Sequence, residues 1–281
     1  MESMKHLTLS AVLLLATAAS AQKLPQPSPK GSVTQTVGIT EVAINYSRPS
    51  AKGRTIFGDL VPFGQIWRTG ANSATTITFD GPVSIEGTQV PAGEYAILTK
   101  PDAGAWIIML NSNLKVSGSN GYDPKMDVAT IKSQPVDGEH VETLTFTIDN
   151  VMNDGADITL HWAKTKVTFH MDAPATEQAL ANIDKALGEK EVSAGTYGSA
   201  ASFAVDRGVR LKEALVWAKK SVEMDPKFWT VRTLSLAHAA VGEKAEAIAA
   251  AKRSMAMAKE AGNEAYVKMN AEKLAEWEGG K

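Results

Sequence analysis

From Val33 to about Ala173, apolar and polar positions alternate over short runs, and turn residues separate one run from the next. The clearest runs are Ile39–Tyr46, Thr75–Phe79, Glu94–Lys100, Trp106–Leu110, Glu142–Ile148, Asp157–Trp162 and Lys166–Met171, all rich in β-branched and aromatic residues. A period of two with such residues predicts strands. The segments EGTQ, PAGE, NDGAD and AKT supply turn chemistry between them, and VPAGEYAIL reads as a hairpin arm entered through its Pro-Ala-Gly turn. Many short strands with no helix among them predict an antiparallel β-sandwich in preference to a barrel.

After Pro174 the period changes. Alanine, lysine, glutamate and leucine dominate, and apolar residues recur at spacings of three and four through LKEALVWAKKSVEMDP and AEAIAAAKRSMAMAKEAG. These two segments align: Glu213, Ala214, Leu215, Ala218, Ser221 and Val222 correspond to Glu246, Ala247, Ile248, Ala251, Ser254 and Met255. Gly208 and Gly242 precede the second helix of each unit, and Pro226 ends the first unit. The period, roughly the 34 residues of a tetratricopeptide unit, and the small residues at the helix crossings make this part resemble that repeat family. Ser235 and His238 stand where its consensus has glycine and tyrosine. A closing helix over Glu264–Trp277 completes a stack so short that the helices are expected to dock on the sandwich. Glu189–Gly195 is the expected loose connection. The resemblance implies a surface for a protein or peptide partner, with Trp229, Arg232 and His238 as its candidates and core packing as their alternative role.

The amino terminus changes the picture of where the chain works. Lys5 and His6 precede an apolar run from Leu7 to Ala18, and Ala19-Ser20-Ala21 has the small-x-small pattern of a signal-peptidase site. The run is shorter than the roughly 20 residues that span a bilayer, so a cleaved export signal over residues 1–21 is expected. A β domain over 22–173 and a helical domain over 174–281 would follow, with no integral membrane segment. Among 281 residues there is no cysteine, which removes disulfides, thiolate metal sites and a cysteine nucleophile. An exported chain of this kind fits a bacterial envelope, periplasmic or secreted. The formal net charge of −2 gives no global field for nucleic acid.

Candidate chemistry is sparse. GSNG at Gly118–Gly121 lacks the spacing and the strand-to-helix setting of a nucleophile elbow. His140, His161 and His170 are far apart in sequence, and Asp149–Asp157 lacks the alternating oxygen ligands of a calcium loop. No metal, cofactor or catalytic constellation is therefore expected, and no phosphate-cradling glycine loop with its lysine is present. Trp67, Trp106 and Trp162 are candidates for stacking on sugars, set against the commoner fate of strand aromatics in a core.

One stretch stands out, RPSAKGRTIFGDLVPFGQIWRTGAN from Arg48 to Asn72, which places Arg48, Arg54, Trp67, Arg68 and Asn72 on one long connection. Guanidinium forks suit carboxylates and phosphates, and an indole face can hold a cation, so these residues are candidates for an anion site. The competing reading has each arginine paired with Asp59, Glu94 or a strand-end carbonyl, pinning the loop across the sandwich; the sequence leans slightly that way. Tyr46–Phe79, the later VPAGEYAIL and GYDPKMDV are similar to domain-of-unknown-function family 2911 over about Leu24–Ala173. That resemblance implies an exported bacterial β domain and no particular reaction. The function expected is a binding or scaffold protein of the cell envelope, with a receptor or enzyme for an anionic or carbohydrate ligand as the alternative.

Overall fold

The computed structural model describes residues 24–279; the export signal expected over residues 1–21 lies outside the described residues. Ten strands come first: β1 Lys30–Val37, β2 Thr40–Ser47, β3 Thr75–Phe79, β4 Val83–Ile85, β5 Thr88–Val90, β6 Gly93–Lys100, β7 Trp106–Asn111, β8 Asp127–Ser133, β9 Val136–Asp149 and β10 Gly155–Asp172. They form a six-stranded sheet in the order β1-β2-β3-β6-β7-β8 and a four-stranded sheet in the order β5-β4-β10-β9, and every pairing is antiparallel.

Alternation explains the layering. In β2, Val42, Ile44 and Tyr46 turn inward while Glu41 and Asn45 face solvent. Opposite them, Leu144 and Phe146 of β9 and Ile158, Leu160 and Trp162 of β10 close the core from the second sheet. Trp106 and Trp162 are each 1% exposed, so neither offers a ring to a sugar. They belong to the packed interior.

Two sequence expectations are corrected. The runs Asp157–Trp162 and Lys166–Met171 are a single strand, β10, and the AKT segment between them is an irregularity in the ladder instead of a turn. Ala163 has φ 51° there, and the partners on β9 step from Thr145 opposite His161 to Val141 opposite Ala163 and Asp137 opposite Thr165. The extra residues lie on β9, so β10 runs on through the irregularity without ending. VPAGEYAIL is likewise not a hairpin arm: β5 lies in the four-stranded sheet and β6 in the six-stranded one, so Pro91–Gly93 is a corner between sheets. Tyr95 fastens that corner by donating from its hydroxyl to the Pro91 carbonyl at 2.9 Å.

Six helices follow: α1 Thr176–Leu187, α2 Ala194–Asp206, α3 Leu211–Met224, α4 Phe228–Ala240, α5 Lys244–Glu260 and α6 Glu264–Glu278. Small residues let α2 and α3 approach closely, with Ala200, Ala201 and Ala204 against Ala214 and Ala218. A hydrogen bond recurs across the aligned segments: Ser221 Oγ donates to the Ala194 carbonyl at 2.8 Å, and Ser254 Oγ donates to the Phe228 carbonyl at 2.7 Å. Each ties the second helix of a pair to the start of the first. The helices have their own apolar cluster, separate from that of the sandwich. They meet the β region at a corner, where Arg207, just after α2, forms a paired contact with Asp154 in the β9–β10 turn.

Candidate functional site

The connection between β2 and β3 first crosses to the other sheet. Leu144 N donates to the Pro49 carbonyl at 3.0 Å and Ala51 N to the Glu142 carbonyl at 2.7 Å, so Pro49–Ala51 runs as an added edge beside β9. The chain then folds back, buries Phe57 edge-on against Trp106 at 4.7 Å, and returns beside β6, where Trp67 and Thr99 exchange main-chain bonds of 2.7 and 2.9 Å. Thr69 locks the return: it is fully buried at φ 55°, its carbonyl accepts from Thr75 Oγ1 at 2.8 Å, and its hydroxyl donates to Thr99 Oγ1 at 3.2 Å. A loop with this much internal bonding is rigid scaffold for whatever side chains it carries.

Its arginines have different fates. Arg48 pins the two sheets together, donating from Nε to the Leu144 carbonyl at 3.0 Å and from Nη2 to Thr145 Oγ1 at 2.8 Å. Its stem lies over Gly31, where any Cβ would sit 2.5 Å from Arg48 Cδ. Arg54 curls onto its own turn, with Nε on the Ala51 carbonyl at 2.9 Å and Nη2 on the Ser50 carbonyl at 2.6 Å. Arg68 donates to no described residue, and its Nε is buried without an acceptor. Arg48→Ala should therefore lower stability by about 2 kcal/mol, because the buried Leu144 carbonyl loses a charged donor. Thermal melts of this variant beside Arg54→Ala, which bonds only within its own turn and has one of its two bonds exposed, so that its loss should be smaller, check the contrast.

Beneath the loop lies a cleft of about 360 Å³. Lys52, Arg54 and Arg68 line it, and Pro49, Leu60, Val61, Trp67 and Trp162 form its apolar wall. Trp67 stacks on Trp162 with ring centres 6.0 Å apart and planes 20° apart, and its indole N–H donates to the Gly70 carbonyl at 3.0 Å. Among the described residues, no acidic side chain lines the cleft. The neighbouring carboxylate is Glu142, which accepts from Lys52 N at 2.7 Å. That bond, then His140 and the charge of Arg54, hold its carboxyl below the usual range, so it stays ionised.

Of the loop residues singled out in the sequence, the cleft brings together Arg54, Trp67 and Arg68. Arg48 and Asn72 lie outside its lining. Asn72, at φ 59°, donates from Nδ2 to the Ser28 carbonyl and to Ser47 Oγ, both at 3.3 Å, and so fastens the segment that precedes β1. Lys52 was missed. Its signal was the Lys-Gly pair of a turn, and both Lys52 and Gly53 are left-handed, at φ 52° and 71°.

In the helical half, Trp229 is 44% exposed at the start of α4, and its ring meets Phe228 edge-on at 4.7 Å. Arg232, one turn along, is half-buried with Nη1 lacking an acceptor. His238 is 7% exposed and bonds through Nδ1 to Glu243 Oε2 at 2.6 Å, which places it inside the α4–α5 junction instead of on a partner-facing surface.

An antiparallel two-sheet β region carrying a cation-lined cleft, continued by six helices, is the class of protein this structure defines. Residues 28–171 match the model of the family described as protein of unknown function (DUF2911), and the chain belongs to that family. No curated protein and no solved structure matches the chain at a significant level. The family match ends within β10, so the helices lie beyond it. No helix among the described residues is long and apolar enough to cross a membrane.

Proposed function

We propose that the protein is an exported binding protein of the bacterial envelope, and that the cleft under the Arg48–Asn72 loop receives a small anionic ligand. Arg68 carries this reading: a half-buried cation on the cleft wall with no acceptor among the described residues, beside two further cations and no acid among the described residues of the lining. Structural arginines acquire partners, as Arg48 and Arg54 do. A site for a ligand leaves its cation free until the ligand arrives.

The test is a thermal-shift screen of the full mature chain with a broad panel of organic anions, run in parallel on Arg68→Gln. A ligand that binds only the native state raises the melting temperature by mass action. Wild type should shift with at least one anion; Arg68→Gln should keep the ligand-free melting temperature and lose the shift. A drop of several degrees in ligand-free Arg68→Gln would instead make Arg68 a structural pin, and silence across the panel would overturn the anion reading.

The helical half supports a second role. Its repeated serine-to-carbonyl bonds and close small-residue crossings support a tetratricopeptide-like stack forming its own domain, and the exposed indole of Trp229 suits an extended protein or peptide partner. Recovery of a defined partner from envelope extract by wild type, and its loss with Trp229→Ala at unchanged helical circular dichroism, would support that role; equal recovery with the variant would remove Trp229 from it.

A further inference from the structure

Resting on the reading of this cleft as an anion site, we infer that its ligand is a small phosphomonoester, with the phosphoryl group at the cations and a ring on the indole-walled side. Charge is the first argument. Lys52, Arg54 and Arg68 are set against the single carboxylate of Glu142, which leaves an excess of two positive charges around the cleft. A phosphomonoester carries about −1.5 to −2 at neutral pH, whereas a carboxylate or a sulfate ester carries one negative charge.

Donor geometry is the second argument. A planar carboxylate is satisfied by one intact arginine fork. Here the Arg54 fork is half occupied, since Nε and Nη2 already serve the Ala51 and Ser50 carbonyls. What it offers a ligand is Nη1. Lys52 contributes a mobile ammonium, which acts as a point charge, and Arg68 contributes an uncommitted guanidinium from the returning limb of the loop. A flat carboxylate would be served by the Arg68 fork alone, whereas the three oxygens of a tetrahedral group can also meet Lys52 and Arg54 Nη1, which arrive from a separate segment.

The remaining lining defines what the phosphoryl group is attached to. Leu60 and Trp67 present accessible apolar surface, with Pro49, Val61 and Trp162 packed behind them, and among the described residues no Asp, Glu, Asn or Gln side chain lines the cleft. Neutral sugars are recognised through such side chains, so a bare carbohydrate finds few partners here. A compact ring bearing a phosphate finds both an apolar wall and counter-charge. The cleft volume of about 360 Å³ limits the ligand to that size.

Isothermal titration of the full mature chain at one pH and low salt, with phenyl phosphate, inorganic phosphate, phenyl sulfate and benzoate as probes, tests the inference. Phenyl phosphate should bind about tenfold or more tightly than phenyl sulfate and benzoate, because only it presents the second charge. Inorganic phosphate should bind more weakly than phenyl phosphate, the difference measuring the apolar wall. Arg68→Gln should weaken phenyl phosphate by about tenfold to a hundredfold with an unchanged ligand-free melting temperature, and Lys52→Gln should narrow the preference over phenyl sulfate. If benzoate or phenyl sulfate binds as well as phenyl phosphate, the phosphomonoester assignment falls while the anion cleft stands. If none of the four binds, the assignment falls as well, and the broad anion screen decides separately on the cleft.

Discussion

Trp162→Ala should destabilise the sandwich by about 3–5 kcal/mol, the cost of removing a large aromatic side chain from a packed interior. Trp162 is 1% exposed, stacks on Trp67, meets Phe57 edge-on with centroids 6.1 Å apart, and donates its indole N–H to the Glu142 carbonyl at 3.3 Å. It sits under the Arg48–Asn72 loop and joins it to β10, so the variant leaves a cavity below the loop, while the Glu142 carbonyl keeps its bond from Ala51 N. For a region of this size a loss of that magnitude lowers the melting temperature by about 10 °C or more. Near-ultraviolet circular dichroism should report the loss. Trp162→Phe should recover about half the stability, restoring the edge-on contact but not the hydrogen bond. A Trp162→Ala protein that melts within a degree or two of wild type would show that the loop stands without the indole beneath it.

Strands in the middle of the large sheet were legible because both of their faces are informative. β3 is bounded by Thr75 and Phe79 in sequence and structure alike, since Thr75, Ile77 and Phe79 alternate against Thr76 and Thr78. β10 was not legible as one strand, because Ala163, Lys164 and Thr165 carry the chemistry of a turn, yet they stay in the ladder while β9 carries the extra residues. The corner at Pro91–Gly93 failed for another reason. A hairpin and a step between sheets use the same residues, and what separates them is the distant partner: β6 pairs with β3 and β7, while β5 pairs only with β4. β4 and β5, three residues each, hold too few positions to show a period.

The site divides in the same way. Composition located the cations, because an arginine-rich connection between strands is rare enough to be seen without coordinates. Composition could not assign their acceptors, since Arg48 and Arg54 are satisfied by main-chain carbonyls that no sequence pattern marks. Arg68 differs from them in finding no acceptor among the described residues, which a one-dimensional reading cannot resolve. The expected docking of helices on the sandwich met a similar limit: the repeat pattern showed that the helical stack is short, and the structure brings it to the β region at a corner made by the Asp154–Arg207 pair and the Gly38–Ile39 turn.

Asp154→Ala should release that corner. Asp154 accepts from Arg207 through both carboxylate oxygens, one of the bonds being 2.8 Å, and its carbonyl accepts from Ala173 N at 2.6 Å at the end of β10. Side-chain exposures of 25% for Asp154 and 20% for Arg207 place the pair between the buried and surface limits, so its removal should cost about 2 kcal/mol. Gly38 reinforces the corner from the β1–β2 turn: at φ 61° an added Cβ would lie 2.8 Å from the Ala173 carbonyl, so the turn abuts the start of the helical region directly. Arg207 holds the Asp154 carboxyl below the ordinary aspartate range. The contribution is therefore fully present above the ordinary aspartate value and is lost as pH falls through the depressed one. In the variant the two halves should melt in separate transitions, the scattering radius should grow, and proteolysis between Asp172 and Thr176 should accelerate. Arg207→Ala should reproduce all three, and the double variant should add little, because both substitutions remove one interaction. A single melt with unchanged scattering in Asp154→Ala would mean that the short Ala173–Ala175 connection and the Gly38 turn hold the halves together without the ion pair.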